Sequence, residues 1–376
     1  MLKIILAVSN DLVTDNRVYK VSESLRNMGF QVGLVGRCLP YSEPYLRTGV
    51  QVNRFKLWFN HSALFYANLN LRLFFYLIRA RVDIVVANDL DTLPACWLAA
   101  KLRRKVLVFD SHELFTEVPE LTNRLIIRKV WLRLEKMLLP GVDFGYTVSP
   151  SIQNYYALNY RKNFQLVRNA AFYRSNFLFN KKSEETIIIY QGALNQGRGL
   201  ELMLETMPLL PHMKLWIVGV GDIEQELKKK VLALHLAEKV IFFGRVQIAD
   251  LFQYTSKAHI GISLEEDLGL NYRYSLPNKL FDYVQARIPV VVPDLPEMRN
   301  LVESYEIGYV LNERSPEKLA ETILRAEHDY FEKDSDREKL QLAARKLCWQ
   351  NEEKELIALY QEAYELAKQR NGQSKK

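Results

Sequence analysis

Cysteine is nearly absent from this chain. Three residues, Cys38, Cys96 and Cys348, stand far apart in 376. An odd number without metal-type spacing excludes a disulfide framework and a structural zinc, and fits a reducing, cytoplasmic compartment. Glycine (16) and proline (13) are also few, which excludes a low-complexity chain; only the polar end at 371–376 reads as a disordered tail. Long hydrophobic runs are missing too. The apolar stretch over 64–78 is interrupted by Asn68, Asn70 and Arg72, short of the roughly 20 clean residues a membrane span requires. The N-terminal apolar run, 3–9, turns polar too soon for a signal peptide and reads as a first buried strand. No Gly-rich turn follows it; Ser9-Asn10-Asp11 stands there, which argues against a dinucleotide enzyme. No P-loop, catalytic triad, metal-ligand pattern or aromatic-interleaved nucleic-acid stripe occurs. The expectation is a soluble or membrane-peripheral protein with no metal, no cofactor and no nucleic-acid partner.

What is present is a lopsided charge. Residues 1–180 carry 24 Lys and Arg against 13 Asp and Glu, whereas the remainder carries 27 against 31. The first half is therefore expected to face an anionic partner, with a nucleic acid as one candidate and an anionic membrane surface as another. Within it, Arg124, Arg128, Lys129, Arg133 and Lys136 are interleaved with Leu125, Ile126, Ile127, Val130, Trp131, Leu132, Leu134 and Leu138. That basic amphipathic helix either lies on anionic lipid or is a core helix with a solvated basic face.

Strand and helix patterns alternate in two series. In the first, strands are expected over 3–8, 31–35, 83–87, 106–109 and 144–148, with an amphipathic helix through Val18, Val21, Leu25 and Met28. In the second, strands are expected over 187–190, 214–218, 240–243, 259–263 and 289–292, with a helix over 200–207. Strands alternating with helices of ten or more residues predict parallel sheets covered on both faces. The fold expected is α/β, two Rossmann-like doubly wound domains facing a central cleft. The first spans 1–172, a linker 173–185 and the second 186–345; a helix over 346–370 ends the chain.

Candidate residues cluster just past the predicted strands, where such sheets place ligands. Gly192-Ala193-Leu194-Asn195-Gln196-Gly197-Arg198-Gly199 opens a helix; either its backbone and Arg198 grip a phosphate, or it is a Gly-rich turn with a solvated Arg. Gly219-Val220-Gly221 is a weak dinucleotide fingerprint, and Gly244-Arg245-Val246 offers backbone to a nucleobase edge. Ser275-Leu276-Pro277-Asn278-Lys279-Leu280-Phe281-Asp282-Tyr283 predicts a helix capped by Ser275 with proline in its first turn. It gathers a cation, an amide and a carboxylate where helix N–H groups favour anions. In the first half, His112 and Glu113 follow a strand and favour a functional role over capping or packing. Asp89 and Asp91 follow another, Asp91 as N-cap or substrate contact alike. Asp15 and Arg17 open the first long helix, Arg17 pointing into the cleft or into solvent.

Together these motifs resemble the group 1, family 4 glycosyltransferases of the GT-B fold, and 275–283 is similar to the "Ser-Leu-Pro-Asn-Lys-Leu-Phe-Glu-Tyr" of a subset of them. Arg287-Ile288-Pro289-Val290-Val291 and Cys348-Trp349-Gln350 match the family's turn and its tail, which implies that the last helix crosses back onto the first domain. The resemblance implies a retaining transfer from a nucleoside-diphosphate sugar to a glycan or lipid-linked acceptor, without a metal. Asp282 would bind the ribose, Arg198 and Lys279 the diphosphate, and His112 would sit by the donor sugar. Gly192, Gly197, Gly199, Gly219, Gly221, Gly244, Arg245, Val246, Asn271, Ser275 and Asn278 would line the donor site. Asp15, Arg17, Asp89 and Glu113 belong on the acceptor side. The chain departs from the pattern at Asp282, where Glu is usual, and at Tyr274, where the first acid of the family's Glu-x7-Glu pair is expected; Glu265, Glu266 or backbone would replace it.

Overall fold

The computed structural model describes residues 1–118, 121, 124–175 and 185–373. Most of the expected linker and the last three residues lie outside them. The chain divides into two units, Met1–Arg168 with Glu352–Lys376, and Asn169–Asn351. The boundary lies a few residues ahead of the one expected at 172. Residues 169–175 join the second unit because Ala170 is buried in its core, Ala171 accepts the Trp349 N–H and Arg174 N–H donates to Gln285.

The first unit contains β1 (Lys3–Asp11), α1 (Asn16–Asn27), β2 (Gln31–Arg37), β3 (Gln51–Phe55), α2 (Ser62–Arg79), β4 (Ile84–Asn88), α3 (Leu93–Arg103), β5 (Val106–Ser111), α4 (Leu125–Leu138), β6 (Phe144–Thr147), α5 (Pro150–Tyr160) and β7 (Gln165–Leu166). The second contains β8 (Thr186–Gln191), α6 (Leu200–Thr206), β9 (Met213–Val218), α7 (Glu224–Ala233), β10 (Val240–Gly244), α8 (Ile248–Thr255), β11 (Ile260–Ile262), α9 (Leu270–Arg273), α10 (Asn278–Gln285), β12 (Val290–Pro293), α11 (Pro296–Tyr305), β13 (Gly308–Leu311), α12 (Pro316–Glu332) and α13 (Asp334–Lys346); α14 (Trp349–Gln373) ends the chain. From Glu352 onward α14 belongs to the first unit. There Glu352 pairs with Arg168, Tyr360 packs edge-on to Phe30 and Tyr146, and Arg370 grips Asp143.

Both sheets are parallel, in the orders β3-β2-β1-β4-β5-β6-β7 and β10-β9-β8-β11-β12-β13. Central strands are apolar throughout, as strands buried on both faces must be: Ile84 to Ala87, Val106 to Phe109 and Ile188 to Tyr190 are each 2% exposed or less. Strand order reverses between β1 and β4 and between β8 and β11. Outside the carboxyl ends at such a switch, the flanking loops diverge and leave a crevice.

Helix α10 is seated with unusual care. The Tyr283 hydroxyl lies 3.2 Å from the carbonyls of Ile189 and Ile262 and from the amide of Gln191, so one buried phenol ties the helix to β8 and β11. Its ring fits because residue 261 is glycine; a Cβ there would stand 2.3 Å from the ring.

Candidate active site

In the second unit the loops after β8, β9 and β11 interlock through bare backbone. Gly219 has φ +147°, and a Cβ on it would lie 1.8 Å from the Gly192 carbonyl. Gly199 has φ +71°, and its Cβ would lie 2.2 Å from the Leu264 carbonyl. Both positions combine a left-handed backbone with contact no side chain allows. The Gly192 and Leu194 amides donate to Val218 and Val220, and the Gly219 amide to Gly244.

Into this frame the chain delivers a buried carboxylate with two cations. Glu265 is fully buried just past β11. Its Oε1 lies 2.8 Å from Lys279 Nζ and 3.5 Å from Arg198 Nη1, and its Oε2 accepts the Ser263 hydroxyl at 2.6 Å. Burial alone would raise this carboxyl's pKa; Lys279 and Arg198 outweigh it and hold it below the usual range. Each cation also rests on a ring, Lys279 4.1 Å from the Tyr190 centroid and Arg198 5.0 Å from that of Tyr272. Lys279 Nζ and Arg198 Nε are buried yet make no well-aligned hydrogen bond. Two cations against one carboxylate leave a net positive charge with spare donors, the composition of an anion site. Arg314 holds the acid's loop by donating to the carbonyls of Leu264 and Glu265.

In the first unit the carboxyl ends of β4 and β5 carry a second charged cluster. Asp110, fully buried, accepts Arg17 Nε at 3.1 and 3.0 Å and Nη2 at 2.8 Å, while Arg17 Nη1 donates to the Val167 carbonyl. His112 Nε2 lies 2.9 Å from Asp110 Oδ2, and its Nδ1 3.3 Å from Asp89 Oδ2. Asp89 also accepts the His112 amide at 2.8 Å. Asp89 itself sits at φ +62°, a left-handed conformation that a non-glycine residue adopts at a cost. Burial would lower the imidazole's pKa, but Asp110 and Asp89 override it and raise it to about 9. Asp110 is held down to about 2, Arg17 and His112 overcoming its burial. Desolvation pushes Asp89 up, and Asp91 to about 6.

Two family models match the chain: glycosyl transferases group 1 over residues 174–347 and glycosyltransferase family 4 over residues 15–170. The chain belongs to the group 1 glycosyltransferases. A chitobiosyldiphosphodolichol beta-mannosyltransferase of Yarrowia lipolytica is 27% identical over 133 residues, 34% of this chain and 28% of that enzyme. The chain thus matches under a third of that relative's length. Sucrose-phosphate synthase from Thermosynechococcus elongatus shares the fold with a TM-score of 0.77 at 16% identity, covering 97% of this chain and 99% of that one. HepE of Anabaena, solved in complex with UDP-glucose, does so with a TM-score of 0.71 at 15% identity, covering 97% and 99%.

Within this glycosyltransferase, Gly192, Gly197, Gly199, Gly219 and Gly221 lie where the loops interlock, and Arg198 is turned to Glu265 rather than solvated. Of the two acids that stood for the missing member of the pair, Glu265 holds the cations and Glu266 faces Arg314 at 3.5 Å. Ser275 does not cap α10: its hydroxyl donates to the Tyr272 carbonyl, and Pro277 occupies the cap position without a side-chain bond. Asn278 is exposed at the start of that helix, Asn271 is buried in α9, and Arg245 is exposed beyond β10 with Val246 half-buried. Gly244 gives its carbonyl to Gly219. In the first unit, Asp15 caps α1 by accepting the Val18 amide, so local helix chemistry accounts for it. Arg17 points neither outward nor to a ligand but into its pair with Asp110. Asp91 is not the N-cap of α3, a place Thr92 takes. Glu113 is half-buried beside this cluster. Two residues without an assigned role in the sequence, Asp110 and Gln191, prove central; a polar residue at the carboxyl end of a buried strand was the available signal.

Proposed function

We propose that this glycosyltransferase moves a sugar from a nucleoside-diphosphate donor to a hydroxyl of a glycan or lipid-linked acceptor, with retention of anomeric configuration and without a metal, in cell-surface polysaccharide or glycolipid synthesis. The observation that carries the reading is the pairing of Arg198 and Lys279 around buried Glu265 at the strand-order reversal of the second unit. As the bond from the sugar's C1 to the phosphate oxygen breaks, negative charge builds on the leaving diphosphate, and two fixed cations with spare donors stabilise it. The bond from the acceptor oxygen to C1 forms on the same face, and the acceptor's proton passes to the departing phosphate oxygen. No protein base is needed on this route. His112, with both ring nitrogens against carboxylates, supplies positive charge rather than a proton acceptor. The UDP-glucose complex of HepE and the diphosphodolichol acceptor in the Yarrowia enzyme's name support the donor and acceptor classes.

A panel of UDP, GDP, ADP and dTDP in thermal shift tests the donor site. One of them, at 100 times its Kd, should add roughly 2.7 kcal/mol of stability, and turnover with the matching nucleotide sugar should survive EDTA. No shift with any of the four would overturn the reading. Product formed from the nucleotide sugar alone would replace it with an epimerase of the same fold.

Helix α4 supports a membrane-proximal acceptor. No helix of the described residues is long and apolar enough to cross a membrane. On α4, however, Leu125, Ile126, Ile127 and Val130 are 40–81% exposed rather than packed in a core. Lys129, Arg133 and Lys136 are exposed beside them, and the helix's one acid, Glu135, is buried against Tyr156 and Tyr160. An apolar strip rimmed by exposed cations suits a peripheral seat on anionic lipid, where each surface Lys or Arg contributes about 1 kcal/mol. Cosedimentation with phosphatidylglycerol vesicles should be lost in a Lys129→Gln, Arg133→Gln, Lys136→Gln variant. Equal binding by that variant would remove the membrane from the proposal.

A further inference from the structure

Asp282 is held by a relay of neutral polar groups. Gln191, the last residue of β8, is 3% exposed; its Nε2 donates to Asp282 Oδ2 at 2.7 Å, and its Oε1 accepts the hydroxyl of fully buried Thr255 at 2.7 Å. The amide's orientation is fixed from both ends. An ionised carboxylate only accepts, so it demands the amide nitrogen; the amide oxygen then faces Thr255, whose hydroxyl has one hydrogen to give. That hydroxyl also lies 3.1 Å from the Leu251 carbonyl, so its proton is divided between these two acceptors among the described residues.

We propose that Gln191 and Thr255 are positioning residues that set the reach and direction of the Asp282 carboxylate toward a vicinal diol, and so make the site selective for ribonucleotides over their deoxy forms. The inference rests on the nucleoside-diphosphate reading above. Asp282 stands three residues beyond Lys279 on α10, on the same side of the helix. With a diphosphate against Lys279 and Arg198, the attached ribose falls next along that side. A carboxylate recognises a diol by accepting from both hydroxyls, and each of its oxygens has lone pairs beyond the one Gln191 uses. The relay fixes one oxygen of this short side chain before the ligand arrives, so binding the diol costs less reorientation.

The test measures binding to the full chain of whichever of UDP, GDP and ADP binds best, alongside its 2′,3′-dideoxy counterpart. The wild type is expected to prefer the ribonucleotide by about tenfold or more, because dropping the diol removes two charge-assisted hydrogen bonds to a half-buried carboxylate. Asp282→Asn, Gln191→Leu and the near-isosteric Thr255→Val should each cut that preference at least about threefold, with little change in affinity for the dideoxy form. If both affinities fall together and the preference stays, Gln191 and Thr255 only maintain the fold and the proposal is wrong. Variants indistinguishable from the wild type overturn it equally. A wild type that binds nucleotides without preferring the diol, or that binds dTDP alone, sinks the relay only, whereas one that binds neither these nor dTDP sinks the donor-site reading and the relay with it.

Discussion

Arg198→Ala is expected to lower turnover with the matching nucleotide sugar about a hundred- to a thousandfold, the size of effect seen when one preorganised donor to a developing oxyanion is removed. This is the cleaner of the two cation variants. Arg198 touches Glu265 at 3.5 Å and remains 28% exposed, whereas Lys279 sits at 2.8 Å and is 8% exposed. Removing the arginine leaves the shorter pair intact, so folding should change little and a thermal melt should show it. Lys279→Ala strands Glu265 in the interior and should lower both turnover and melting temperature. Lys279→Arg restores the charge but not the compact ammonium over Tyr190, and is expected to recover stability more than rate. If Arg198→Ala turns over within threefold of the wild type while binding donor normally, the leaving diphosphate is stabilised elsewhere and the mechanism fails.

Asp110→Asn should cost the first unit about 3–5 kcal/mol, because it leaves the Arg17 guanidinium buried without its counter-charge. Arg17 is 2% exposed and gives Asp110 three of its hydrogen-bond contacts, so neither water nor a neighbouring acid can take the carboxylate's place without rearrangement. For a unit of this size the loss corresponds to a fall in melting temperature of roughly 10 °C. The same cluster predicts the pH dependence. His112 has a folded pKa of about 9, above its ordinary value of 6.5, so its contribution is complete below pH 6.5 and disappears as pH rises through 9. Asp110, held at about 2 against an ordinary 3.8, contributes fully above pH 3.8 and loses its share as pH falls toward 2. Denaturant unfolding at pH 6 and pH 9.5 should therefore show the wild type weaker at the higher pH, Asp89 adding to the His112 share because its raised carboxyl loses its proton in the same window, and the double variant His112→Gln, Asp89→Asn should flatten that difference. A melting temperature for Asp110→Asn equal to that of the wild type, or a double-variant slope as steep as the native one, would show that the cluster contributes little.

Much of this molecule was legible before any coordinates. Strands β1, β4, β5, β8, β9 and β12 were readable because a parallel strand buried on both faces must be an unbroken apolar run, and nothing else in the chain forces such runs. Strands β3, β7 and β13 escaped, and all three lie at sheet edges. There a strand has one partner and a partly solvated face, as in the half-buried Gln51–Phe55, so its apolar pattern dissolves into that of a loop. Gly192, Gly197, Arg198, Gly199, Gly219 and Gly221 are legible for a related reason: they follow strand ends within several residues, where backbone geometry and short-range chemistry decide the residue type, whereas Lys279 and Asp282 are legible from the proline and apolar stripe of the short helix that carries them.

By itself the sequence determined the two alternating series, the glycine-bearing loops at their strand ends and the presence of Arg198 and Lys279 beside them. Only the tertiary structure decided which charges meet. Glu265 rather than Glu266 faces Lys279, Gln191 rather than solvent holds Asp282, and Arg17 is spent on Asp110 across 93 residues of chain. Periodicity and capping act over one helical turn or one strand, so they leave a local signature. The partner of a buried charge is chosen by strand order and by the energetic cost of leaving that charge alone, and neither has any fixed spacing along the chain.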